Sequence, residues 1–120
     1  MHKYRYKYEV IFHPSFENEL VDVYIKYSNK KEIIEKKIAI YTLMLSEKGP
    51  KVLVEGAFDK VKKSRNIYEM RLIKKNPNLR ILFAFLTNNQ IVYLVIFYEK
   101  NKSDYDKNIE LAENRLKDYM

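Results

Sequence analysis

The chain has 120 residues, of which 47% are hydrophobic, and this is enough for one domain with one core. Its formal net charge of +7 favours an anionic partner, nucleic acid first and a membrane surface second. Because there is no cysteine, disulfides, thiolate metal sites and cysteine nucleophiles are excluded, and with only 2 histidines a histidine-built zinc site is not expected. We expect a single domain over residues 1–120 that uses no metal or other cofactor.

The N-terminal residues carry no targeting signal that the sequence reveals. They are rich in charge and lack the apolar stretch of a signal peptide. No apolar run approaches the length of about 18 residues that crosses a bilayer. These features predict a cytoplasmic protein without a membrane partner.

A strand and a helix are the first predicted elements. Residues 4–12 alternate aromatic and charged side chains with the period of two that is typical of a strand. The basic positions of this strand are Lys3, Arg5 and Lys7. They face either solvent, as on a charged edge strand, or an anion. His13-Pro14-Ser15 ends the strand and begins the helix. The apolar face of this helix comprises Phe16, Leu20, Val23, Tyr24 and Tyr27.

A second helix follows directly and makes a helical hairpin with the first. Asn29 and Glu32 have the spacing of a capping box at its start. Gly49-Pro50 ends it. Its inward positions are Ile34, Ile38, Tyr41 and Leu45.

Residues 51–65 have the least regular pattern in the chain. Val52-Leu53-Val54 is predicted as a short extended piece. Residues 59–65 form a basic loop, which is either a solvated turn or part of a functional site.

Three closely spaced strands are predicted next, at residues 67–74, 79–86 and 90–98. The last two are apolar on both faces, so we expect them at the centre of the sheet. A final helix is predicted over residues 103–119, with Ser103 or Asp104 as its N-terminal cap. Its apolar face comprises Tyr105, Ile109, Ala112 and Leu116. The order β-α-α-β-β-β-α predicts an α+β fold in which an antiparallel sheet is packed by the helical hairpin and the C-terminal helix.

Two arginines stand out on the predicted strands. Glu69 and Arg71 alternate onto one face, and we expect Arg71 or a near neighbour to pair across from Arg80. Two guanidinium groups this close repel unless an anion lies between them, and Glu69 is a candidate for that anion. A guanidinium fixed on a sheet fits two phosphate oxygens at once, but a surface network of ion pairs without catalysis explains the same residues.

The end of the last strand adds further candidates for the same rim. Tyr98 ends that strand, and Lys100 and Lys102 follow it. Tyr98 fits base stacking, proton transfer or simple core packing. Without a glycine-rich phosphate loop or a metal-ligand cluster, phosphate chemistry would depend on Arg, Lys, Glu and Tyr. Attack of an RNA 2′-hydroxyl on the adjacent phosphorus needs only such groups.

Several stretches of the chain's second half carry a family pattern. They are Tyr68-Glu69-Met70-Arg71, Arg80-Ile81-Leu82-Phe83, Phe97-Tyr98-Glu99-Lys100, and the run from Ile109 to Tyr119 that opens Ile-Glu-Leu-Ala. From about Asn66 onward the chain resembles the HigB-like, phage-derived branch of the RelE/ParE toxins of type II toxin–antitoxin systems. It departs from that pattern where Tyr68 replaces Trp, where Glu99 replaces the first of two lysines, and where Asp104-Tyr105 replaces Thr-Pro.

The resemblance implies a metal-independent mRNA endonuclease, or mRNA interferase, that usually acts on the ribosome. A helix-turn-helix antitoxin would silence it, and operator DNA would be met only through that antitoxin. By this resemblance Arg71 and Arg80 hold and neutralise the scissile phosphate, with help from Lys100. Glu69 would position Arg71, and Tyr98 is a candidate general base. The RNA-contacting lysines would be Lys60, Lys62, Lys63 and Lys102.

Two other functions are compatible with the same sequence. The first is a ParE-like toxin that inhibits DNA gyrase, a class that usually lacks the basic catalytic set. The second is a non-catalytic, phage-derived binding protein, and Glu99 is the residue that favours it because it removes a positive charge from the rim.

Overall fold

A computed structural model describes residues 7–120 of the chain. The helices are α1 (Pro14–Lys26), α2 (Lys31–Lys48) and α3 (Lys102–Leu116). The strands are β1 (Glu9–Phe12), β2 (Phe58–Lys60), β3 (Tyr68–Ile73), β4 (Leu79–Phe85) and β5 (Gln90–Tyr98). Single 3₁₀ segments lie at Ser28–Lys30, Gly49–Val54 and Lys117–Tyr119. Of the predicted first strand, residues 4–6 lie outside the described part of the chain, as do Lys3 and Arg5.

The strands form one sheet in the order β1-β5-β4-β3-β2, which confirms the α+β class. As expected, β4 and β5 are interior strands. The sheet differs from the purely antiparallel prediction because β1 pairs with β5 in parallel. Strands β3, β4 and β5 pair antiparallel through successive hairpins. This leaves β5 running in the same direction as β1, its neighbour on the other side.

Strand β2 is an addition to the predicted order. Its three residues pair with β3, and two of them are exposed. The sequence pattern missed it because Asp59 and Lys60 read as part of a charged loop, and only Phe58 is buried. Val52-Leu53-Val54, predicted as extended, instead belongs to the 3₁₀ segment that follows α2.

A separate hydrophobic cluster lies on each face of the sheet. One contains the inward residues of α1 and α2, including Phe16, Ile34 and Leu45. The other lies beneath α3 and contains Ile109, Ala112 and Leu116. The predicted apolar faces of all three helices are therefore confirmed. Because both faces of the interior strands are covered, their unbroken apolar runs are explained.

The helix ends agree with the sequence in part. Gly49 ends α2 as predicted, with a φ of 55°. At the start of α2, however, Asn29 lies inside a 3₁₀ turn, and no side chain caps the helix. Helix α3 is capped by Asn101 rather than by Ser103 or Asp104, because the Asn101 side chain accepts a hydrogen bond from the backbone N–H of Asp104 at 3.1 Å.

Within residues 7–120, no helix is both long and apolar enough to cross a membrane.

Candidate functional site

Arg71 and Arg80 are direct cross-strand partners in the β3–β4 pair, as the sequence predicts. Their side chains nevertheless diverge. Arg71 reaches toward β2, where its Nη1 lies 3.4 Å from Asp59 Oδ2 and its Nη2 donates to the carbonyl of Gly56. Each arginine therefore has its own carboxylate partner, which offsets the repulsion between the two guanidinium groups.

Arg80 is held on three sides. Its Nε donates to Asn78 Oδ1 at 3.2 Å, its Nη1 donates to Glu69 Oε2 at 2.9 Å, and its Nη2 lies 3.1 Å from Glu99 Oε2. Its side chain is only 18% exposed. Such a set of charge-assisted contacts fixes the plane of the guanidinium.

Glu69 pairs with Arg80 and not with Arg71, contrary to the expectation from the sequence. The register explains this difference. Glu69 stands between Asp59 on β2 and Leu82 on β4. Arg80 is then its diagonal neighbour on β4, while the exposed Asp59 is left for Arg71.

Tyr105 forms the opposite wall of the site. Its ring lies 5.5 Å from the Arg80 guanidinium carbon and edge-on to Phe97 at 6.2 Å. Burial, followed by the negative charge of Glu69, raises the pKa of the Tyr105 hydroxyl to about 12. The hydroxyl is therefore protonated at neutral pH.

These groups line a cavity of about 350 Å³ beside the N-terminal end of α3, which we call the Arg80 groove. All four lysines predicted to contact RNA line it together with Arg80. They are Lys60, Lys62, Lys63 and Lys102. Four acidic residues also line it, namely Asp59, Glu69, Glu99 and Asp106. The rim of the groove is thus basic, and at its floor carboxylates form ion pairs with the Arg80 guanidinium.

Two of the four rim lysines also have contacts within the protein. Lys60 donates to the carbonyls of Val61 and Ser64, and burial lowers its pKa. Lys63 lies 2.9 Å from Asp106 on α3. Lys60 therefore stabilises the loop before β3, and Lys63 joins that loop to the helix across the groove.

The structure does not bring Tyr98 and Lys100 into the Arg80 groove. Side chains alternate along β5, so Phe97 packs under α3, whereas Tyr98 faces the helical hairpin. Tyr98 accepts a hydrogen bond from Lys26, which together with the charge of Lys100 lowers its pKa. The prediction that Tyr98 and Lys100 work beside Arg80 is therefore wrong in its geometry.

Three functional groups of this site were not predicted as such from the sequence. Asn78 is two residues before Arg80, so strand alternation could have indicated their shared side. Tyr105 was visible only as part of an apolar helix face. Asp106 follows it in α3, and no pattern in the sequence links it to Lys63 on a distant loop.

The fold and groove define a protein of RelE-like architecture. The chain is similar to the isolated E. coli RelE toxin, with a TM-score of 0.50 and 12% sequence identity, over 86% of this chain and 96% of that one. At this identity the likeness shows the fold alone. No curated protein sequence shows significant similarity.

The chain belongs to the family described as phage derived protein Gp49-like (DUF891), which matches residues 28–117. The matched range contains both arginines, the rim lysines and Tyr105. Together with the RelE-like fold, it confirms the resemblance drawn from the second half of the sequence.

Proposed function

We propose that this protein is the toxin of a RelE-type toxin–antitoxin pair and that it cleaves mRNA in the Arg80 groove without a metal ion. The observation that carries the proposal is the fixed guanidinium of Arg80 at the floor of a lysine-rimmed groove. Family membership and the RelE-like fold support the toxin class. The reaction assigned to the groove is our inference from its side chains.

In the proposed reaction the RNA supplies its own nucleophile. The 2′-hydroxyl releases its proton to solvent water, and its oxygen bonds to the adjacent phosphorus while the bond from phosphorus to the 5′-oxygen breaks. The 5′-oxygen takes up a proton, so the products are a 2′,3′-cyclic phosphate and a 5′-hydroxyl. Negative charge grows on the phosphoryl oxygens as this happens. A guanidinium that is already oriented can stabilise that charge without reorganisation.

Arg80 retains donors for this purpose. A guanidinium has five N–H groups. Within the described residues, its Nε donates to Asn78, its Nη1 donates to Glu69, and its Nη2 forms an ion pair with Glu99. One N–H on each terminal nitrogen is then available to a phosphate, and the approach of that phosphate competes with Glu99.

Tyr105 is suited to donate a proton to the leaving 5′-oxygen. Its pKa of about 12 keeps the hydroxyl protonated at neutral pH, which favours an acid over a base. The negative charge of Glu69 acts on this hydroxyl, and the same carboxylate holds Arg80. The rim lysines, Lys62, Lys63 and Lys102, draw the RNA backbone into the groove.

A non-catalytic binding protein is the second candidate, and the two carboxylates on Arg80 favour it. Glu69 and Glu99 lie at 2.9 Å and 3.1 Å from the guanidinium and already neutralise its charge. In this interpretation Arg80 is a structural ion pair, and the rim lysines alone attract an anionic partner.

Induced expression in bacteria separates the two candidates. We expect the wild-type protein to arrest growth and to cleave mRNA, and Arg80→Ala to lose at least about a hundredfold in cleavage. Arg71→Ala should lose less, because Arg71 lies beside the groove rather than in it. Lys36→Ala, an exposed change on α2, is the control for lost positive charge. Undiminished cleavage by the Arg71→Ala, Arg80→Ala double variant would overturn the proposed site.

The antitoxin is tested separately. We expect a small helix-turn-helix protein to be encoded in the neighbouring reading frame, and its co-expression to restore growth. Growth arrest that this neighbour does not relieve would contradict the toxin–antitoxin assignment while leaving RNA cleavage open to its own test.

A further inference from the structure

A second cleft lies across the end of the sheet from the Arg80 groove. It is bounded by the C-terminal end of α1, the β3–β4 turn and the end of β5, and its volume is about 690 Å³. We call it the tyrosine cleft. The residues that give it its character are Lys26, Tyr27, Lys74, Lys75, Tyr98 and Lys100.

The tyrosine cleft is more uniformly basic than the Arg80 groove. Four lysines line it, and among the described residues that line it Glu99 is the one acidic side chain. That carboxylate is already engaged by Arg80 and by the Asn78 side chain, at 3.1 Å each. A neighbouring cavity is lined by Glu19, Asp22 and Asp104, so the positive surface stops sharply at Lys100.

Two tyrosine rings lie among the lysines of this cleft. The rings of Tyr27 and Tyr98 meet edge to face, with centroids 5.8 Å apart. The ammonium groups of Lys26 and Lys100 lie 4.1 Å and 5.2 Å from the centre of the Tyr98 ring. Aromatic rings beside basic side chains are a common means by which proteins bind single strands, since bases stack on the rings and phosphates meet the positive charges.

The two sites are continuous through one residue. Glu99 lines both the Arg80 groove and the tyrosine cleft. Its backbone N–H donates to the carbonyl of Asn78 at 2.9 Å, so the crest between the two sites is a fixed part of the sheet end. A strand that leaves the groove over this crest enters the cleft directly.

We propose that the tyrosine cleft binds single-stranded RNA that flanks the segment held in the Arg80 groove. The proposal rests on the proposed function for the identity of the ligand, and it gives Tyr98 and Lys100 a role in binding rather than in cleavage. An acidic peptide would also be attracted by the lysines. The stacking surface and the continuity with the groove favour RNA.

Binding of a fluorescent 2′-O-methyl RNA, which cannot be cleaved by 2′-hydroxyl attack, tests the cleft separately from the reaction. Replacing both Lys74 and Lys75 by Ala should weaken binding about tenfold at low salt and reduce the salt slope by about 0.7 for each phosphate that no longer meets a lysine. The matched control replaces the exposed Lys51 and Lys117, which removes the same charge elsewhere. It should change affinity by no more than about twofold.

Nuclear magnetic resonance then locates the RNA. On titration we expect shifts of the backbone amides of Asn76, Asn78 and Lys100, in addition to those of Lys62 and Lys63. Shifts confined to the groove, or equal losses of affinity in the control variant, would overturn the proposal. The proposal would also be overturned if a polyglutamate peptide, but not RNA, shifted the amides of the tyrosine cleft. If RNA shifts the cleft amides but the natural ribose strand is never cut, the cleft stands and the proposed enzymatic function fails.

Discussion

At the scale of single residues, the proposed chemistry depends on the way Arg80 is held. A guanidinium that is largely buried needs partners, because an unpaired buried charge is strongly destabilising. Glu69 and Asn78 meet this need from β3 and from the turn before β4, and Glu99 adds a second carboxylate. We infer that the first two contacts orient Arg80, whereas Glu99 restrains its contact with an anion.

Replacing Glu99 by Gln tests this restraint. Because the change removes a negative charge 3.1 Å from the guanidinium and keeps the side-chain shape, we expect RNA affinity to rise about threefold to tenfold. Fluorescence anisotropy at low and moderate salt measures the change. Glu47→Gln, an exposed change on α2, is the control for net charge. Weaker binding by Glu99→Gln would mean that Glu99 positions Arg80 for its ligand.

Tyr105 allows a prediction about alkaline pH. Its hydroxyl has a folded-state pKa of about 12 against an ordinary value of 10.0, so it favours the folded state below pH 10. This stabilisation is lost as the pH rises from about 10 to 12, because the unfolded chain then ionises first. Over that pH range, the free energy of unfolding of Tyr105→Phe should therefore fall by about 1 kcal/mol less than that of the wild type. This value is reduced because the ring is partly exposed.

Urea unfolding at pH 9 and at pH 11 measures this difference, with the wild type and Tyr105→Phe compared at each pH. Equal losses in the two proteins would show that Tyr105 does not hold a raised pKa in the folded state. RNA cleavage by Tyr105→Phe separately tests the proposed role of Tyr105 as the acid. We expect the cleavage rate to fall about a hundredfold.

At the scale of secondary structure elements, patterns of period two and 3.6 account for most of the fold. The apolar faces of α1, α2 and α3 follow from side-chain periodicity, and the central position of β4 and β5 follows from their unbroken apolar runs. The pattern failed where structure depends on distant contacts. Strand β2 forms because Phe58 is buried against the sheet and because β3 offers an edge for pairing. A three-residue stretch with two charged residues does not have a sequence pattern that predicts either contact.

Gly49 is the element boundary most sensitive to substitution. It adopts a φ of 55°, and a Cβ there would collide with the ring of Tyr8. We expect Gly49→Ala to lower the free energy of unfolding by about 2 kcal/mol, from the left-handed backbone and the collision together. Gly56→Ala is the matched control, because a Cβ at Gly56 meets nothing within 4 Å. A change at Gly49 no larger than that at Gly56 in urea unfolding would contradict this account.

At the scale of the whole molecule, the excess of positive charge is distributed unevenly. The Arg80 groove balances lysines at its rim against carboxylates at its floor, whereas the charged residues that line the tyrosine cleft are four lysines and one glutamate. Composition could indicate an anionic partner, and family pattern could select Glu69, Arg71 and Arg80. Neither could decide which side of the sheet each side chain faces, so the separation of Tyr98 and Lys100 from Arg80 required the packing of α1 and α3.

The most direct test of the central claim, that the Arg80 groove cleaves RNA through its own 2′-hydroxyl, uses two labelled oligonucleotides. One is all ribose, and the other carries a single 2′-deoxy nucleotide at the cut site. With EDTA present throughout, we predict that the wild-type protein cuts only the first and leaves a 2′,3′-cyclic phosphate, and that Arg80→Ala cuts neither. Cleavage of the deoxy-substituted strand, or full activity of Arg80→Ala, would contradict the claim.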